Sequence, residues 1–186
     1  DTRNLIHQIR QASDPELSLA VARRMYQRRF PQVDLIGKSL QEMMGMEGVR
    51  VRSLYAAKAE EYGVPWEGRR FVPGHFSGSD TTNRFLTQCN SMLYGLICSC
   101  VHSSGFSPYL GFIHSGSPLP FVYDIADLYK QDFSIDLAFG MTARLGGHYD
   151  KKVVQEEFRK RVSDRDLLKQ IVPDMCEVLG MREEVK

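Results

Sequence analysis

No run of 18 or more apolar residues occurs in the 186-residue chain, so nothing in it is built to cross a bilayer as a helix. Cysteine is scarce. Cys89, Cys98, Cys100 and Cys176 show neither the even, loop-borne spacing of a secreted disulfide framework nor a C-x-x-C knuckle, and they read as reduced thiols of a cytoplasmic protein. An excess of one charge is also missing. With 24 Lys+Arg against 23 Asp+Glu and a net charge of +1, the chain is not a generally basic nucleic-acid protein. There is no P-loop, H-E-x-x-H, G-x-S-x-G, Rossmann glycine fingerprint or EF-hand loop, which removes most common enzyme classes. The first residues, Asp1-Thr2-Arg3, hold neither a methionine nor a basic-then-apolar signal, and the start reads as a cut through a longer protein.

What is present is a core of ordinary size, 42% hydrophobic, enough for one domain. Its apolar residues repeat at helical spacing, and no strand-period repeat competes with them. Ser13-Asp14-Pro15-Glu16 reads as a capping box, followed by Leu17, Val21 and Met25 in a helix to about Phe30. Arg23, Arg24, Arg28 and Arg29 fall on its other face and read first as solvated. A second pattern runs from Asp34 to the Gly63-Val64-Pro65 break, with Glu47 on the apolar stripe of Leu40, Met43, Val51 and Leu54. Residues 64–79 hold the one Trp, three glycines and two prolines and read as an ordered surface loop, with Arg69 and Arg70 beside Trp66 and Phe71.

Asp80 caps the most regular helix, which extends to Gly105 and carries a polar stripe of Asn83, Thr87, Asn90 and Tyr94 that suggests a wet cleft. An extended connector, 108–118, leads to a helix over Leu119–Lys130. Helical patterns also fit Asp132–Arg144, Tyr149–Arg161 and Asp164–Leu179. The fold class expected is therefore all-α, a single domain of about seven helices.

Charge is thinnest in residues 71–130, where Arg84 and Lys130 face Asp80, Asp124 and Asp127. Asp124 and Asp127 sit about 60° apart on their helix, so both can face one cleft, and carboxylates at apolar places need a partner or a metal. Glu47, His114, Asp124 and Asp127 form a distributed set of carboxylates and one imidazole that suits Mg²⁺ or Mn²⁺. Each one alone reads first as structural.

The residues around this set resemble one family. Gly111-Phe-Ile-His114-Ser-Gly-Ser-Pro-Leu-Pro-Phe-Val-Tyr-Asp124-Ile-Ala-Asp127-Leu-Tyr-Lys130 closely resembles the signature of the CRISPR-associated integrase, the universal subunit of spacer acquisition, especially its type I-E form. Met46-Glu47-Gly48-Val49-Arg50-Val51-Arg52, Trp66-Glu-Gly-Arg-Arg70, Asp80-Thr-Thr-Asn83 and Leu93-Tyr94-Gly95 are similar to it in the same order, over about residues 14–175. The resemblance implies the family's C-terminal helical catalytic domain, without its N-terminal β-rich domain, across residues 1–186. It implies Glu47, His114 and Asp127 as ligands of Mg²⁺ or Mn²⁺, with Asp124 and Tyr94 as further catalytic residues and Asn83 lining the cleft. It also implies a DNA integrase or endonuclease that joins the 3′-hydroxyl of prespacer DNA to the leader-repeat end of a CRISPR array by transesterification.

Arg52, Arg69, Arg70 and Lys151 are the expected contacts to the double-stranded DNA, with Arg23, Arg24 and Arg28 as weaker candidates. The implied partners are prespacer and array DNA, the small second adaptation subunit, and a second copy in the full-length protein. Ser117 stands where many relatives carry a lysine. The alternative is a non-catalytic helical DNA- or protein-binding bundle whose acidic residues pair with Arg50, Arg52 or Lys130. Metal dependence separates the two.

Overall fold

A computed structural model describes residues 2–70 and 80–181. Among these the chain is entirely helical: α1 (Thr2–Ser13), α2 (Pro15–Arg29), α3 (Leu40–Tyr62), α4 (Thr81–Ser103), α5 (Pro120–Ala126), α6 (Asp136–Arg144), α7 (Lys151–Asp164) and α8 (Leu167–Val178). A π-helical turn over Gln131–Ile135 precedes α6. The expected all-α class is observed, with α1 as an element that the periodicity did not announce.

The helix starts follow local hydrogen bonding more than apolar spacing. Asp14, not Ser13, caps α2, accepting the N–H groups of Glu16 at 2.8 Å and Leu17 at 3.0 Å, while Ser13 ends α1. The helix expected from Asp34, α3, starts at Leu40. There the Asp34 carboxylate accepts the Ile36 N–H at 2.9 Å, Gly37 turns at φ +72°, and Ser39 and Glu42 form the reciprocal bonds of a capping box. The Leu119–Lys130 helix ends early, at Ala126.

The chain divides into two compact units: one of Asp1–Met44, Tyr94–Leu128 and Asp166–Lys186, the other of Gly45–Leu93 and Tyr129–Arg165. In the first, Val21, Ala22 and Met25 of α2, Ile97 and Val101 of α4, Phe121 and Ile125 of α5, and Ile171 and Met175 of α8 are all fully buried. Helix α1 is tied in by polar groups. Gln8, fully buried, donates to the carbonyls of Ser107 and Leu110 at 2.9 Å each and accepts the Ser107 N–H at 2.7 Å. A buried amide with all these bonds made costs little and orients the connector that follows α4.

In the second unit, Trp66 packs 5.0 Å from the Tyr55 ring and 5.1 Å from Phe139, anchoring the segment before residue 71. Phe71, and the rest of the expected loop to residue 79, lie outside the described residues. The polar stripe of α4 is not a wet cleft in this unit. Asn83 is fully buried and binds the Arg70 N–H at 2.9 Å and the Gly68 carbonyl at 3.0 Å, and Asn90 accepts from Ser134. These side chains hold backbone that water would otherwise have to satisfy. Cys89 is also buried, and desolvation pushes its thiol up to about 12. It is a core residue.

Asp136 closes the π-turn and collects three donors: Lys58 Nζ at 2.7 Å, the Tyr62 hydroxyl at 2.9 Å and Arg161 Nη1 at 2.8 Å. Burial works to raise its pKa, but these three hydrogen bonds together outweigh it and hold the carboxyl below its ordinary value of 3.8. Hydrogen bonding to Asp136, then to Glu61, raises Lys58 above its ordinary 10.5 despite partial burial. The carboxylate's contribution to stability is therefore complete above pH 3.8 and is lost as pH falls through its lower folded value. The ammonium's contribution is complete below pH 10.5 and is lost as pH rises through its higher folded value. Asp136→Ala should cost about 2–3 kcal/mol at neutral pH and flatten the acid limb of stability against pH. Urea unfolding at pH 3 to 7 reads both, and parallel curves for the two proteins would remove Asp136 as the keystone of this unit.

Candidate metal centre around His114

The candidate centre grows from a close approach between the connector and α5. A Cβ on Gly111 would lie 2.5 Å from Pro120 Cβ, 2.8 Å from the Pro120 carbonyl carbon and 3.0 Å from Asp124 Oδ2, so only glycine lets the connector lie against the start of α5. That approach aims three successive backbone N–H groups at one carboxylate. Asp124 is 1% exposed. Its Oδ2 accepts from Phe112 at 2.6 Å and Ile113 at 3.3 Å, and its Oδ1 from the His114 N–H at 3.1 Å. A buried carboxylate is tolerated when it is bonded in this way.

The same Oδ1 lies 2.8 Å from His114 Nδ1. A carboxylate only accepts, so Nδ1 carries a hydrogen, and a ring with no second proton presents its lone pair at Nε2. Nε2 faces Asp127 Oδ2 at 3.6 Å, beyond hydrogen-bond length. Asp127 is 8% exposed and caps the C-terminal end of α5. Two electron-pair donors directed at each other across this gap, with the imidazole backed by a carboxylate, is the arrangement that suits a cation between them. One nitrogen and carboxylate oxygens fit Mn²⁺ or Mg²⁺. By their chemistry these two donors fit part of such an ion's ligand set, short of the three side chains that a metal-holding group would bring together.

Arg29, at the end of α2, is the residue that sequence reasoning missed. Its side chain is 10% exposed and Nη1 lies 3.6 Å from Asp127 Oδ2, with the guanidinium 5.1 Å from the centre of the Phe30 ring. The sequence reads it first onto a solvated face. The available signal was its spacing, since Val21, Met25 and Arg29 continue one i, i+4 series, and an arginine there continues an apolar stripe. Tyr94 lies at the edge of the site, its ring 4.9 Å from Tyr123, and the Tyr123 ring lies 6.1 Å from His114.

The other sequence candidates, apart from Ser117, belong to the second unit. Glu47 is half-buried on α3, and Arg52 and Lys151 are exposed on α3 and α7. Arg69 is held by Asn83 Oδ1 at 2.8 Å and Thr87 Oγ1 at 3.0 Å, and Arg70 pairs with Glu67 at 2.5 Å in solvent. Ser117 turns its N–H to the His114 carbonyl at 3.2 Å. Among the described residues no three His, Cys, Asp or Glu side chains form one metal-holding group, so what the first unit brings together is the His114–Asp127 pair with Asp124 behind it.

Two substitutions test this arrangement. Gly111→Ala should cost about 1–3 kcal/mol, because the atoms it meets include backbone. Asp124→Asn, which sets an amide against three N–H donors, should weaken Mn²⁺ binding about 10–100-fold. Urea unfolding and Mn²⁺ titration by calorimetry are the measurements. Wild-type values in both would leave Asp124 as an ordinary buried polar residue.

Comparison with known proteins shows the family. The family model described as CRISPR associated protein Cas1 matches residues 1–170. A CRISPR-associated endonuclease Cas1 2 of Chlorobaculum tepidum is 56% identical over 183 residues, covering 98% of this chain and 62% of that protein. Its counterpart in Thermus thermophilus is 41% identical over 190 residues, covering 99% of this chain and 58% of that protein. The solved structure described as a TtCas1–DNA complex is 40% identical and superposes with a TM-score of 0.88 over 96% of this chain and 66% of that one. The chain thus spans about 60% of the length of these curated relatives. With His114, Asp124 and Asp127 drawn together in a helical fold, it belongs to the CRISPR associated protein Cas1 family.

Proposed function

We propose that this chain is the helical catalytic portion of a metal-dependent DNA integrase/endonuclease of CRISPR adaptation. In this reading the 3′-hydroxyl of a double-stranded prespacer attacks a phosphodiester at the leader-repeat end of a CRISPR array. A new P–O bond forms to the prespacer, the array strand leaves as a 3′-hydroxyl, and the number of phosphodiesters is unchanged. The carrying observation is the orientation of His114, with Nδ1 committed to Asp124 and Nε2 directed at Asp127. Its relatives' description as endonucleases supports the same class.

His114 and Asp127 would hold the ion, joined by Glu47 as the family resemblance implies. When bound, Mn²⁺ or Mg²⁺ supplies charge neutralisation at the attacked phosphate and orientation of the attacking hydroxyl. Asp124 is a positioning residue that fixes the imidazole tautomer. Arg29 holds a positive charge beside Asp127, where anionic oxygen would gather. Tyr94 borders the site with its ring against Tyr123. Arg52, Arg69, Arg70 and Lys151 are the proposed backbone contacts to duplex DNA, and the small second adaptation subunit and a second copy are the proposed protein partners in the cytoplasm.

His114→Ala and Asp127→Ala should each lower Mn²⁺-dependent cleavage or joining at least about 100-fold, since each removes a ligand, with the circular-dichroism spectrum retained. Denaturing gels of labelled duplex, with and without chelator, read the reaction. Turnover that persists in either variant or in chelator would reassign the chain to a DNA- or protein-binding bundle.

A further inference from the structure

Helix α2 carries four arginines, and they do not have the same surroundings. Arg28 is neutralised by α8, with Nη2 at 2.6 Å from Asp174 and Nη1 at 2.5 Å from Glu177. Arg29 approaches Asp127. Arg23 and Arg24 meet only carbonyls: Arg23 donates from Nε to Leu35 and from Nη2 to Lys38, both at 3.2 Å, and Arg24 donates from Nε to Val178 at 2.7 Å. Among the described residues neither guanidinium meets a carboxylate. Both are half-buried, and burial pulls Arg24 below its ordinary value.

These two side chains line an open surface pocket of about 310 Å³ with Ala20 and Gln27, the i, i+3, i+4 and i+7 positions of one helical face. The carbonyl bonds hold the guanidiniums in place without cancelling their charge. Arg24 is fixed against the last residue of α8, whose carbonyl end is partially negative. Gly180 makes that possible, since at φ +68° a Cβ there would lie 3.0 Å from Arg24 Nη2. A guanidinium has five N–H donors, so three remain on Arg23 and four on Arg24. Fixed forks of this kind match the oxygens of a phosphate. Arg29 lies nine residues after Ala20, half a turn out of phase, so this face is not the one that reaches Asp127.

We propose that the Ala20–Arg23–Arg24–Gln27 face of α2 is a phosphate-binding subsite, separate from the His114 centre, that takes a phosphate of a nucleic-acid backbone. It rests on the proposed function only for DNA as the source of that phosphate. The fixed charge and the donor count call for a phosphate oxyanion from any source.

The test is binding in chelator, where the proposed metal chemistry is silent, so its failure is distinguishable from failure of the catalytic reading. Anisotropy of labelled duplex DNA is followed across a salt series for the full chain, for Arg23→Gln with Arg24→Gln, and for Ala20→Glu, which puts a carboxylate in the pocket and leaves both arginine anchors intact. The expected result is a slope of log affinity against log salt less steep by about 1–2 in both variants, with Arg28→Gln changing it by less. Inorganic phosphate at constant ionic strength, followed by the arginine Nε NMR signals, is the second arm. Shifts of Arg23 and Arg24 together with the changed slope establish the DNA subsite. Shifts with an unchanged slope overturn DNA as the source. No shift and an unchanged slope in Ala20→Glu overturn the subsite, even if the double variant fails to fold.

Discussion

A single buried carboxylate, Asp124, sets the geometry on which the candidate site depends. It is accommodated in a 1%-exposed position because three consecutive N–H groups and an imidazole converge on it. Each of those donors would be costly to bury alone, and together they satisfy the carboxylate and are satisfied by it. The connector cannot relax without unpairing several groups at once. His114 is therefore held at both its backbone and its ring, and it is presented to Asp127 as one tautomer.

The requirement for glycine at position 111 follows from the same constraint. Three N–H groups reach one carboxylate only if the chain passes within van der Waals distance of Pro120 and Asp124, where any side chain would collide. Local sequence and catalytic geometry are thus linked through backbone packing. The second unit uses a comparable device for a different end. Asp136, ringed by Lys58, Tyr62 and Arg161, fixes the helix that follows a π-turn.

Charge placement separates residues that composition treats alike. Four arginines on α2 look like one basic face, yet α8 carboxylates take up Arg28, Asp127 draws Arg29, and carbonyls alone hold Arg23 and Arg24. Arg69 and Arg70 diverge in the same way, one held by Asn83 and Thr87 and the other paired with Glu67 in solvent. The family relationship covers about 60% of the relatives' length, so the arginines of this portion are read in their own surroundings.

The sequence by itself determined the all-helical class, since apolar residues recur at helical spacing throughout, and it singled out His114, Asp124 and Asp127, because two carboxylates and an imidazole in the least charged third of the chain demand a reason. It also brought out the family, through an ordered run of motifs. It did not determine where helices start, because Asp14 and Ser39 act through hydrogen bonds that competing residues nearby could equally have made. It missed the polar docking of α1 through Gln8, and it read the α4 stripe as wet when Asn83 and Asn90 were waiting for backbone and serine partners. Only the tertiary structure decided that Asp124 stands behind His114 and Asp127 in front of it, and that Arg29 approaches Asp127 while Arg23 and Arg24 line an open pocket. Those distinctions depend on what lies within a few ångströms from distant parts of the chain, and helical spacing says which way a side chain points without saying what it will meet.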